Sequence, residues 1–121
     1  MQQAYWKITD IDGEEIELGL TYHGLYLLRE GGEKTRSIYE AYQRIAMAGP
    51  KDELEQVYII YTAYCCAHPG EDPCDFADFL RRLPPDRSLI STTVSALWEP
   101  SKKKRALQML LGAQQNAAAE G

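Results

Sequence analysis

Residues 54–67, LEQVYIIYTAYCCA, leave a helix almost no polar side. Leu54, Val57, Tyr58, Tyr61, Tyr64 and Cys65 fall at helical spacing, and Ile59, Ile60, Ala63 and Cys66 fill the gaps between them. A helix apolar on nearly every side must be surrounded by other elements. The stretch therefore predicts the central post of a small helical domain, running over 51–67. It carries few groups able to do chemistry, which turns attention from a catalytic centre to the surfaces.

The first twenty residues follow a different period. Trp6 and Ile8 alternate with Lys7 and Thr9, and Ile16, Leu18 and Leu20 alternate with Glu15, Glu17 and Gly19. Between the runs, Asp12-Gly13 supplies the positive φ that hairpin turns need. This predicts a β-hairpin of residues 4–9 with 14–19. Two strands alone are marginal in water, so the apolar face must lie on the helices or pair with another chain.

Helices follow. Thr21 caps a short one reaching Glu30, with Leu25 and Leu28 inward and Gly31-Gly32 as its stop. Ser37 and Glu40 form a capping box for a second, which ends at Gly49-Pro50 and carries Ile38, Tyr42 and Ile45 on one face. Asp52 and Glu55 form another box, opening the central helix. Asp72 as cap with Pro73 in the first turn predicts a fourth helix, holding Phe76, Phe79, Leu80 and Leu83 and stopping at Pro84-Pro85. Asp86 or Ser88 starts a fifth, with Leu89, Ile90, Val94, Leu97 and Trp98 inward, ended by Pro100. Leu54, Val57, Ile60, Tyr61, Phe76, Phe79, Leu80, Val94, Leu97 and Trp98 are expected in one core cluster. The fold class is thus mainly α, with an N-terminal hairpin and about five short helices round the central one. One globular domain covers 1–100 (hairpin 4–19, helices 21–98). Residues 101–121, with a short stripe of Leu107, Leu110 and Leu111, read as a frayed C-terminal helix or flexible tail.

The 121 residues suffice for one real core. A net charge of −5 opposes a phosphate-binding surface, so no nucleic-acid partner is expected. The one basic cluster, Lys102 to Arg105, reads as a solvated patch. No apolar run approaches the roughly 20 residues of a membrane span. The amino terminus lacks the cationic and apolar regions of a signal peptide. The cysteines number three, with Cys65 and Cys66 adjacent in an apolar helix and pointing different ways. Reduced thiols in a cytoplasmic protein are the expectation.

Cys65, Cys66, His68 and Cys74 are the only clustered soft ligands, but zinc sites space their ligands on turns. Asp72, Asp75 and Asp78 lack the alternating oxygens and the glycine of a calcium loop, and suit a first helical turn instead. Neither His23 nor His68 lies in a nucleophile motif, and Gly31-Gly32 is no phosphate loop. The expectation is no enzyme, no cofactor and no metal.

Tyrosine is the unusual residue, with eight copies. Tyr58, Tyr61 and Tyr64 read either as core rings with hydroxyls at a rim or as part of a protein–protein surface, where tyrosine is enriched. Tyr39, Tyr42, Tyr58, Tyr61 and Trp6 are the candidate partner-binding residues.

The order of features resembles a known family. A hairpin of the type YWKITDIDGEEIELGLT leads to a small helix, then to a tyrosine-rich helix like VYIIYTAYCCAH and an acidic-aromatic helix like DPCDFADFLRRLPPD. This pattern, over residues 5–98, is similar to that of the tail assembly chaperones of long-tailed bacteriophages, including prophage copies. The resemblance implies a mostly helical protein in the cytoplasm of a bacterial host. It also implies two partners, the aggregation-prone tape-measure protein and the tail-tube protein. Self-association through the N-terminal hairpin is a further expectation, because a free strand edge invites pairing. The competing reading is a small transcriptional regulator with a helix-turn-helix in 73–98; the acidic balance and the scarcity of Lys and Arg on its second helix oppose it.

Overall fold

A computed structural model describes residues 4–98. Strands β1 (Ala4–Thr9) and β2 (Glu15–Leu20) are followed by helices α1 (Tyr22–Glu30), α2 (Glu33–Ala48), α3 (Glu53–Ala67), α4 (Phe76–Arg82) and α5 (Arg87–Trp98). The fold is mainly helical with an N-terminal antiparallel hairpin, as the sequence periods predict. The expected tail helix and the stop at Pro100 lie outside the described residues.

The hairpin pairs Trp6 with Leu18 and Ile8 with Ile16, which puts these side chains on one face. Ile8, Ile16 and Leu18 are buried there. β2 packs on α3 and β1 on α5, and α3 and α5 pack on each other. α1, α2 and α4 close the remaining sides of α3. Eight of its residues are buried: Val57, Ile59 to Ala63, Cys65 and Cys66. Thr62 is among them without penalty, since its hydroxyl donates to the Tyr58 carbonyl at 2.8 Å.

Local chemistry explains most boundaries. Thr21 Oγ1 accepts from the Gly24 N–H at 3.0 Å, and Asp52 Oδ1 accepts from the Glu55 N–H at 2.9 Å. Glu55 reaches back to the Lys51 N–H at 2.8 Å, one residue further than a standard box. Asp86, not Ser88, caps α5 by accepting from the Leu89 N–H at 3.1 Å.

Two boundaries differ from the sequence reading by three residues or more, while β2 and α3 start one and two residues later than expected. α2 starts at Glu33 rather than at a Ser37 cap. Gly32 at φ 128° reverses the chain, and Glu33 then meets the positive end of the helix dipole. α4 starts at Phe76 rather than at Pro73, with Asp75 in place of Asp72 at the cap position. Tertiary donors hold the preceding segment extended. Lys34 Nζ donates to the Pro73 carbonyl at 2.6 Å and pairs with Asp72 at 3.4 Å and Asp75 at 3.9 Å. The Tyr61 hydroxyl takes the Cys74 carbonyl.

The aromatic part of the core centres on Phe79, which is fully buried. Its ring lies 5.5 Å from Tyr61 and 5.2 Å from Tyr64, while Phe76 lies 4.8 Å from Tyr58. Leu54 departs from the expected core: it is 58% exposed. It sits in the first turn of α3, at the wall of a groove shared with Leu83 and Ile90. Truncation of Phe79 to alanine should cost about 3–5 kcal/mol. A Phe79→Ala variant melting within about two degrees of the parent would contradict this packing.

One polar contact joins the hairpin turn to α4. The buried Asp10 carboxylate accepts from the N–H groups of Asp12 and Glu14, both at 2.9 Å. Arg82 donates to its other oxygen at 3.2 Å, and the Ile11 N–H donates to the Arg82 carbonyl at 2.9 Å. The Glu14 N–H, and after it Asp12 and Arg82, hold the Asp10 pKa below its usual value against the opposing effect of burial. A depressed carboxyl stabilises the fold above its unfolded pKa near 3.9, and the contribution is lost as pH falls through the lower folded value. Asp10→Asn should therefore melt lower than the parent at pH 7, with the gap narrowing as pH falls below about 3.9. A gap of constant size across that range, measured by thermal melts, would refute the assignment.

Candidate partner-binding surface

The five residues expected to meet a partner divide between core and surface. Tyr61 is 2% exposed and Tyr42 is 6% exposed. Both have internal partners: the Tyr61 hydroxyl donates to the Cys74 carbonyl, and the Tyr42 hydroxyl accepts from Trp98 Nε1 at 2.9 Å. Burial raises the pKa of each above the usual tyrosine value. These two are packing residues that tie the 74 region to α3 and α5 to α2, and they present no binding face. Tyr58 is half-buried over Phe76. Tyr39 and Trp6 reach the surface.

The exposed aromatic residues gather round α1. Tyr22 is 92% exposed and Tyr26, four residues on, is exposed on the same side of the helix. With Leu25, Arg29, Tyr39 and Gln43 they line a shallow groove of about 220 Å³ between α1 and α2. The Arg29 guanidinium lies 5.6 Å from the Tyr26 ring centre and pairs with Glu30 at 2.8 Å. Across α1, His23 and Leu27 line a larger groove of about 660 Å³, closed by Tyr5, Trp6, Cys66 and Pro69. α1 is thus a ridge between two grooves.

Two glycines shape the larger groove. Gly19 pairs with Tyr5, and a Cβ there would meet Tyr5 Cε1 at 2.9 Å, so its absence lets the ring lie over the strand. A Cβ on Gly24 would meet Cys66 Cβ at 2.7 Å, so glycine permits the close crossing of α1 over α3. A third apolar groove of about 450 Å³ runs past Leu54, Leu80, Leu83 and Ile90, where the exposed Leu54 forms part of its wall.

Sequence reasoning missed Tyr5, Tyr22 and Tyr26. Each carries a signal: Tyr5 alternates with the inward Trp6 and Ile8, and Tyr22 and Tyr26 share helical spacing outside the Leu25–Leu28 face.

Chemically reactive groups are muted here. Burial pushes the Cys65 and Cys66 thiols up to about 12, so neither is a nucleophile at neutral pH. Among the described residues no group of three or more His, Cys, Asp or Glu is placed to hold a metal ion. Nor is any helix among them long and apolar enough to cross a membrane. No protein-family model matches this chain, and no curated protein or solved structure matches it either.

A colourimetric thiol reagent at pH about 8 should find at most one prompt thiol in the folded protein, the half-exposed Cys74, and all three after denaturation. Prompt reaction of a second thiol would show that Cys65 or Cys66 is accessible.

Proposed function

We propose that this chain is a non-enzymatic tail assembly chaperone, working in the cytoplasm of a bacterial host on the tape-measure protein and helping to recruit tail-tube subunits. The order of sequence features suggests the family. The observation that carries the binding role is the pair of aromatic grooves flanking α1. Tyrosine offers large contact area at low entropy cost, and the two grooves suit the apolar face of a long helical partner. Exposed rings with free hydroxyls are what such a surface requires, and Tyr22 and Tyr26 make no side-chain hydrogen bond among the described residues.

The regulator reading has less support. α4 packs on α3 rather than on α5, and the apolar face of α5 is committed to α3 and β1. Of the α5 residues, Arg87 alone is basic.

Co-expression with the tape-measure protein of the same gene cluster tests the proposal. The partner should be soluble only alongside this chain and should co-purify with it. A Tyr22→Ser, Tyr26→Ser double variant should keep its melting temperature and weaken co-purification roughly tenfold or more, the scale of aromatic hot spots. Equal solubility with and without this chain, and no co-purification, would refute the chaperone reading. Salt-sensitive binding to duplex DNA would favour the regulator instead.

A further inference from the structure

The geometry points to β1 as a homodimer edge: we infer that two copies pair antiparallel through their first strands, giving one continuous four-stranded sheet. The inference is argued from the hairpin alone, whose Tyr5 and Trp6 also close the larger groove beside α1.

The argument starts from which backbone groups the hairpin leaves open. The Asp10 N–H donates to the Glu14 carbonyl at 2.8 Å, which fixes the alternation of the antiparallel ladder. Ile8 with Ile16 and Trp6 with Leu18 then exchange hydrogen bonds. The N–H and C=O groups of Tyr5, Lys7 and Thr9 point away from β2, and those of Glu15, Glu17 and Gly19 point away from β1. Among the described residues no helix, loop or side chain bonds to either set.

The two edges are not equivalent. β2 lies against α3 and carries the buried Leu18 and Gly19. It also carries Glu15 and Glu17, both outward-bonding, and an antiparallel match of β2 with a second β2 centred on Glu15, Ile16 or Glu17 sets these like charges against each other. β1 packs on α5 but has the more exposed edge. Tyr5, Trp6, Lys7 and Thr9 are all exposed, and Trp6 is 39% exposed although it belongs to the inner face. An indole on the core side of a strand yet open to water marks a sheet that stops one strand short.

Self-pairing of β1 has a register that fits its side chains. Outward-bonding residues must face each other across the new ladder, so Tyr5, Lys7 and Thr9 pair among themselves. With Lys7 on the two-fold axis, two ammonium groups would be opposed. With Trp6 on the axis, each Tyr5 faces the Lys7 of the second copy, and the two indoles meet where strands approach most closely. The two-fold closes the assembly at a dimer, because each copy keeps only its acidic β2 edge outside.

Sedimentation of the full chain at tens of micromolar should give twice the 13.7 kDa chain mass. Lys7→Pro removes an outward N–H and the exposed Lys7–Glu15 ion pair but no hydrogen bond of the β1–β2 ladder, so it should be monomeric with an unchanged circular dichroism spectrum. Two further variants remove the same ring with opposite charge. Tyr5→Lys sets like charges against Lys7 at two places and should weaken the dimer about tenfold relative to Tyr5→Glu, which sets opposite charges there. A monomeric parent chain would overturn the inference. So would a dimer whose strength is the same in Tyr5→Lys and Tyr5→Glu, or one that survives Lys7→Pro in folded form. A monomer that still keeps the tape-measure protein soluble would overturn this inference and leave the chaperone proposal standing.

Discussion

Everything in this fold answers to one constraint: α3 has no side that tolerates water over most of its length. Ile59, Ile60 and Ala63 are wholly buried, and Val57, Tyr61, Cys65 and Cys66 nearly so. A single partner helix covers only one stripe, so five elements are needed to enclose it. The hairpin supplies part of that cover and takes its own stability in return, since two isolated strands bury too little to persist. The small residues of the second half of α3 set how near the covering elements come. At Cys66 the α1 backbone approaches so closely that only glycine fits at position 24.

Polar contacts then decide where the covering pieces stop. Asp10 has its acceptor capacity filled by the turn it sits in and by Arg82, whose guanidinium also lies 5.7 Å from the Tyr64 ring centre. One carboxylate thereby fixes the hairpin turn, the end of α4 and a ring on α3 relative to one another. Lys34 does the same between α2 and the 72–75 segment. Such contacts contribute less than apolar burial, but they are directional, and a small core needs direction to hold one arrangement.

The parts of the fold legible in the sequence are those decided within a few residues. The alternation of Ile16 and Leu18, the caps at Thr21 and Asp52, and the all-round apolarity of α3 are local signals, and each gives its element correctly. The start of α4 is not local. Asp72 and Pro73 make a sound helix opening, yet a lysine 39 residues earlier holds the Pro73 carbonyl and keeps the segment extended. Ser37 misleads for the opposite reason, because the Gly31-Gly32 pair ends one helix and opens the next in so few residues that the capping box falls inside the second. The candidate surface was only partly legible: Trp6 and Tyr39 reach it, whereas Tyr42 and Tyr61 are spent inside.

That division among the tyrosines carries the functional argument further than their number does. The core rings have hydrogen-bond partners because a buried hydroxyl without one is costly. Tyr42 finds Trp98 and Tyr61 finds the Cys74 carbonyl. Tyr5, Tyr22 and Tyr26 need no such partner, since water serves them, and the packing of α3 gains little from rings that stand in solvent. A chain selected for folding alone would place lysine or glutamate at these positions, as it does at Lys7, Glu15 and Glu17 beside them. The net charge of −5 offsets the tendency of exposed rings to aggregate. Rings held open on α1 and β1, against an acidic background and a rigid apolar post, are what the proposed binding of another protein chain would require.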